Sequence, residues 1–327
     1  MLDTIPRHSP LAVQTRGDLV ESVHYGSLIA LGPGGGMLLS RGEPEAGFYP
    51  RSALKPLMAV AMLRAGLRLP PDQLALAAAS HSGAPEHIAA ALAILAGAGL
   101  DEAALRNPPD LPYGLKERRQ WLREDFGPSA LAQNCSGKHA AMLATCVLNG
   151  WPAESYLDRG HPLPRLIREV VGELTGCRLE TSSTDGCGTE VFAVTLSGMA
   201  RAFSRLATAP EGTAEYAVCR AMRLHPGMVG GKGRDVTDLM AAVPGLIAKD
   251  GFEGVQVVAL DDGGAMALKV ADGGDRARLP ASAPALLALG VDADVVGRFN
   301  ALEVLGGGKP VGELRGLPWP TRENPHA

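Results

Sequence analysis

"GVQVVALDDGGAMALKV" (residues 254–270) places two short apolar runs on either side of a four-residue turn signal. GVQVVAL (254–260) and AMALKV (265–270) have strand character, and DDGG between them supplies the turn residues of a hairpin. At the other end of the chain, VESVHYGSLIAL (20–31) and MLLS (37–40) are β-like and flank GPGGG (32–36). EVFAVTL (190–196) adds a further expected strand. Between these lie segments expected to be helical: 52–66, the alanine-rich 72–105 and 139–148, and a helix from about 162 to 175. Strands at both ends and helices in the middle predict an α/β fold whose sheet is assembled from both chain ends around a helical insertion. No repeat, low-complexity run or linker is evident, so residues 1–327 are read as one catalytic domain. Its sheet subdomain is expected over about 10–50 and 188–327, and its helical subdomain over about 51–187.

Composition narrows the function classes. The 327 residues are 46% hydrophobic and 20% charged, which is ordinary for a soluble globular chain with a substantial core. A formal net charge of −4 gives no reason to expect nucleic acid or an anionic membrane as partner. The N-terminal MLDTIPRHSPLAV has an early acid, two prolines and no apolar h-region, so no signal peptide is expected. IAAALAILAGAGL (88–100) is too short to span a bilayer and reads as a buried helix. Five cysteines without a secretory signal argue against a disulfide framework and for a reducing, cytoplasmic setting. GPGGG (32–36) and GGGKPVG (306–312) lack the G-K-[ST] ending of a phosphate-binding loop; the first reads as a hairpin turn.

Four stretches carry groups capable of chemistry. RSALKPL (51–57) sets Ser52 three residues before Lys55, and Pro56 is comfortable only in the first turn of a helix, which predicts a helix start near Ser52. There the serine is either a cap or a nucleophile at the positive helix end with Lys55 on the same face. AASHSGAPEH (78–87) crowds Ser80, His81, Ser82, Glu86 and His87 at a helix–loop boundary. NCSGKHA (134–140) sets Cys135 one turn from Lys138, and TDGCGTE (184–190) puts Cys187 in a glycine turn. The cysteines read either as small hydrophobes or, with His139 adjacent, as metal ligands.

RSALKP, ASHSG.PEH, NCSGKHA.ML, STDGCGTEVFAV, HPGMVGGKGR and IAKDGFEGV occur in that order. Together they resemble the asparaginase family typified by the rhizobial inducible enzyme, which is unrelated to the bacterial threonine-type and plant-type asparaginases. The resemblance spans roughly residues 10–275. It implies a serine β-lactamase-like fold: a mixed α/β sheet subdomain built from both chain ends with an inserted helical subdomain. It also implies an L-asparaginase, an amidohydrolase converting L-asparagine to L-aspartate and ammonia through a serine nucleophile activated by lysine. Ser52 and Lys55 match the family's S-x-x-K pair, and Ser80 matches its second serine. The second lysine belongs to a K-x-G segment; Lys249 in KDGFEG fits it, and Lys269 in ALKVADG is the rival. The family's zinc ligands fall on Cys135, Lys138 and Cys187, with Lys138 held neutral to offer a lone pair. No organic cofactor is expected. The expected partners are a small-molecule amide and, in a homodimer, a second copy of the chain.

Four positions depart from the family pattern: Met58, Ala84, Gly227 and Val236. They remove polar side chains while all four serine and lysine positions are kept. Arg51, Asp185, Arg234 and Glu253 are the candidates for meeting the ammonium and carboxylate of asparagine, with a surface role equally open for each. The alternatives are an amidase or glutaminase, a β-lactam-reactive hydrolase of the same fold, and a non-catalytic amino-acid-binding homologue.

Overall fold

The computed structural model describes residues 5–318. Three strands come from the N-terminal end: β1 (Ser9–Arg16), β2 (Leu19–Leu31) and β3 (Met37–Arg41). Two short strands, β4 (Ser182–Thr184) and β5 (Glu190–Phe192), pair only with each other. Five come from the C-terminal end: β6 (Ile247–Gly251), β7 (Val255–Ala259), β8 (Ala265–Val270), β9 (Ala301–Gly306) and β10 (Lys309–Gly316). The main sheet has eight strands in the order β6-β7-β8-β2-β1-β10-β9, with β3 also paired to β2. The two chain ends are joined where β2 runs antiparallel to β8, from Gly26 opposite Val270 to Leu31 opposite Ala265. This is the expected mixed α/β architecture, a sheet drawn from both ends of the chain.

Among the described residues twelve helices complete it: α1 (Lys55–Arg64), α2 (Pro71–Ala77), α3 (Pro85–Gly97), α4 (Leu115–Arg123), α5 (Ser136–Asn149), α6 (Pro162–Thr175), α7 (Leu196–Ala207), α8 (Ala214–Leu224), α9 (Pro226–Val229), α10 (Asp235–Ala242), α11 (Arg278–Ala288) and α12 (Ala293–Asn300). Helices α7 and α11 both pack on β7, β8 and β2. Every residue of β6 and β7 is buried, as expected of strands covered on both faces. Helix α8 packs on α1 and α2, and α5 on α3.

One sequence-based expectation holds here and others change. GPGGG is a hairpin turn: Gly32 N–H donates to Gly36 O at 2.8 Å, Gly35 takes φ +77°, and Leu31 faces Met37 across it. The expected helix over 72–105 is broken at 78–84, because residues 80–82 spend their N–H groups on other segments: Ser80 on Val229 O, His81 on Asn134 O, Ser82 on Gly230 O. Helix α3 buries only one face, with Ile94 and Leu95 inside and Leu92 41% exposed. The expected strand 190–196 stops at Phe192, since Thr195 caps α7 by accepting from Gly198 N–H. Among the described residues no helix is long and apolar enough to cross a membrane.

Candidate active site

Ser80 stands at the end of the short helix α2 on a segment fixed by its backbone bonds to Val229 and its neighbours' bonds to Asn134 and Gly230. Two buried amines converge on its hydroxyl. Lys55 Nζ lies 3.0 Å from Ser80 Oγ and Lys249 Nζ 3.1 Å from it. Lys55 opens α1, where Pro56 forfeits no intrahelical hydrogen bond. Its remaining contacts are Ala79 O at 2.6 Å and Cys135 Sγ at 3.1 Å, so three acceptors match the three N–H groups of an ammonium. Lys249 comes from β6, which passes the Arg51–Leu54 turn so closely that a Cβ on Gly251 would lie 2.2 Å from Pro50 O. Only glycine permits that approach. Lys269 lies elsewhere, on β8, with Nζ donating to Val270 O.

Lys249 Nζ also donates to Asp250 O at 2.8 Å and to Asp250 Oδ1 at 2.5 Å. Burial lowers the Lys249 amine, Asp250 opposes, Lys55 and Arg234 assist, and the group is brought down to about 8. Burial alone would raise the Asp250 carboxyl, but Lys249, Arg234 and Arg278 outweigh it and hold the carboxyl well below its usual range. Arg234 NH2 meets Asp250 Oδ2 at 3.0 Å, its NH1 donates to Ser80 O, and its guanidinium lies 4.5 Å over the Tyr113 ring.

Ser52 does not begin the α-helix. It lies in a 3-10 turn, Arg51–Leu54, and α1 starts at Lys55 with Leu54 as its cap. Proline fits the second helical position as well as the first, so Pro56 alone did not fix the start at Ser52. The Ser52 side chain is half-buried, and its Oγ has no hydrogen-bond partner among the described residues, which removes the capping role. Arg51 beside it takes φ +53°, a strained conformation for a residue with a side chain. Arg51 Nε donates to Asp185 Oδ1 at 2.6 Å, and its guanidinium lies 5.5 Å from the exposed Phe252 ring.

Cys135, Lys138 and Cys187 form a second buried cluster, tied to the first through the Lys55–Cys135 contact. Lys138 Nζ is 2.9 Å from Cys187 Sγ and 2.8 Å from Thr189 Oγ1. A hydrogen bond from Cys135, with Lys138 and His139 alongside, pulls the Cys187 thiol far down despite burial; the same bond and burial push Cys135 up. Burial would lower the Lys138 amine, but the two sulfurs outweigh it and raise the group. Ligation of a metal would need the Lys138 amine neutral, whereas the two neighbouring sulfurs favour its charged form. Among the described residues no group of three or more His, Cys, Asp or Glu is placed to hold a metal. With the Lys138 amine, the three side chains would offer two sulfurs and one nitrogen, a donor set of the kind zinc takes.

The remaining expectations divide. Arg51 and Asp185 meet each other, and Arg234 adjoins Ser80. Glu253 occupies an exposed turn at φ +68° facing Lys269, with no described hydrogen bond to the site. The departures Met58 and Val236 are core residues, 4% and 1% exposed. Ala84 N–H donates to His87 Nδ1 and Gly227 O receives His87 Nε2–H, so these two positions serve backbone anchoring of α3. Sequence reasoning missed Asp250, Tyr113 and Thr189. Side chains alternate along a strand, so nothing in KDG signals that Asp250 turns back onto Lys249.

The chain belongs to the L-asparaginase II family, whose model matches residues 12–316. Membership points to a hydrolase of the asparaginase type. No curated protein matches the chain. Among solved structures it is similar to a β-lactamase from Mycobacterium bovis, at 16% identity over 84% of this chain and 94% of that one, with a TM-score of 0.44. It is also similar to EstCE1, a hydrolase with promiscuous acyltransferase activity, at 12% identity over 81% of this chain and 93% of that one, with a TM-score of 0.44.

Proposed function

We propose that this chain is an amidohydrolase that converts L-asparagine to L-aspartate and ammonia by serine–lysine chemistry. The observation that supports it most is the Ser80 hydroxyl held between two buried amines, one of them lowered to about 8. With Lys249 neutral, Lys55 passes a proton to Ser80 Oγ while Ser80 passes its own to Lys249, which leaves Lys55 a neutral base. Ser52 Oγ, one turn away, then gives its proton to Lys55 and bonds to the side-chain carbonyl carbon of the substrate. Collapse of the tetrahedral species breaks the C–N bond, the amines return a proton to the leaving ammonia, and water cleaves the resulting ester to free aspartate and Ser52. Asp185 and Arg51 meet the α-ammonium and α-carboxylate.

Cys135, Lys138 and Cys187 are the residues that would hold zinc. When bound, the ion supplies a fixed positive charge that shapes the pocket behind Lys55. The serines and lysines supply nucleophile and base without it.

A second reading makes Ser80 the nucleophile, favoured by its direct contact with both amines. Ammonia release across L-asparagine, L-glutamine and simple amides, with a chromogenic β-lactam alongside, tests the class. Intact-mass trapping of the acyl-enzyme in Ser52→Ala and Ser80→Ala tests the nucleophile. No turnover and no adduct with any of these would favour a binding protein.

A further inference from the structure

We infer that Asp250 is a positioning residue for Lys249: its carboxylate and carbonyl clamp Nζ onto Ser80 Oγ, and Arg234 holds that carboxylate in turn. This rests on the proposed role of Lys249 as proton acceptor.

The geometry is a chain of five contacts. Arg234 NH1 donates to Ser80 O, Arg234 NH2 to Asp250 Oδ2, Lys249 Nζ to Asp250 Oδ1 and O, and Lys249 Nζ reaches Ser80 Oγ. The loop thus begins and ends on Ser80. A flexible four-carbon stem gives a lysine amine many positions. Two of the three directions of this one are taken by Asp250, which leaves the third for the serine.

The clamp also sets charge. Lys249 faces Asp250, Lys55 and Arg234; Asp250 faces Lys249, Arg234, Arg278 and the Tyr113 ring; Arg278 is shared with Asp235 and Asp275. Lys55, Arg234 and burial drive Lys249 towards the neutral form, and Asp250 alone among these resists. Loss of the Asp250 charge therefore moves Lys249 to a lower titration midpoint, and loss of Arg234 moves it higher. Two substitutions that both break the clamp have opposite signs, which general loosening of the fold does not produce.

The test is NMR titration of the Lys249 side chain in protein labelled at lysine Cε, assigned by the signal absent from Lys249→Arg, on folded protein without substrate. The wild-type midpoint is expected near 8. Asp250→Asn should lower it by about one unit or more, Arg234→Gln should raise it, and Asp250→Glu should restore it to within roughly half a unit. Turnover of L-asparagine in parallel should show the acid limb of kcat moving with the midpoint, and a fall of about tenfold or more in kcat with little change in KM for Asp250→Ala. An unmoved midpoint in Asp250→Asn, or shifts of the same sign in both variants, overturns the inference. A moved midpoint with a stationary acid limb supports the clamp and removes Lys249 from the proposed mechanism instead. Should Asp250→Asn fail to fold, the Arg234→Gln and Asp250→Glu midpoints decide alone: a raised and a restored value support the clamp, and unchanged or lowered values in Arg234→Gln overturn it.

Discussion

Lys249 Nζ lies 3.1 Å from Ser80 Oγ, and the partner on the other side of that oxygen is a second lysine at 3.0 Å. Two amines around one hydroxyl compete for protons, so one of them is pushed towards the neutral form in which it can accept the serine proton. Lys249, completely enclosed and facing the Lys55 and Arg234 charges, is brought down to about 8.

Activity should therefore rise with pH through an apparent value near 8 and level off above it, because the acceptor form is the neutral one and the fraction of it grows as pH exceeds the folded-state value. Measuring kcat for L-asparagine between pH 6 and 10 checks this. A profile flat across that window removes Lys249 as proton acceptor.

Ser52→Ala and Lys55→Ala should each lower turnover by roughly three orders of magnitude or more while leaving the circular dichroism spectrum unchanged. The Ser52 side chain makes no hydrogen bond among the described residues, so its loss should not destabilise the fold. If Ser52→Ala retains more than about a tenth of wild-type turnover while Ser80→Ala is inactive, the nucleophile is Ser80.

Asp185→Asn should raise KM for L-asparagine by about tenfold or more and change kcat less, since it removes a charge from the proposed recognition pair and not from the proposed reacting groups. An unaltered KM would return the Arg51–Asp185 pair to a purely structural role.

Elemental analysis of purified protein should find about one zinc per chain, and Cys187→Ala should lose it while keeping measurable turnover at high substrate. Complete inactivity of a well-folded Cys187→Ala protein would make the metal catalytic. Metal-free wild type whose activity a chelator does not reduce would leave the two cysteines as buried side chains.

Gly251→Ala should lower stability by about 1–3 kcal/mol and reduce kcat, because the new methyl meets Pro50 O at 2.2 Å and forces β6, with Lys249, away from the turn carrying Ser52. Thermal unfolding and kcat measured on the same preparation check both effects.

The local signals in the sequence were those that depend on neighbours in the chain. The two strand-like runs of 254–270, the GPGGG turn and the helix of 162–175 were legible because hairpin geometry and helical periodicity act over a few residues. The drawing of the sheet from both chain ends followed from where strand-like runs lie. The order of motifs pointed to the family and to four of the groups now seen around Ser80 and the Arg51–Leu54 turn. What required the folded chain was direction and distance. Whether Ser52 caps a helix depends on where the 3-10 turn becomes α-helix, and that is set by packing against β6. The K-x-G context singled out Lys249 over Lys269, but its reach to Ser80 Oγ depends on the approach of β6 at Gly251, a contact between segments some two hundred residues apart. The inward turn of Asp250, the pairing of Arg51 with Asp185 and the link from Lys55 to Cys135 have no periodic signature. Each is a short-range polar contact between groups that only burial forces together, since an enclosed charge must find a partner wherever the fold presents one.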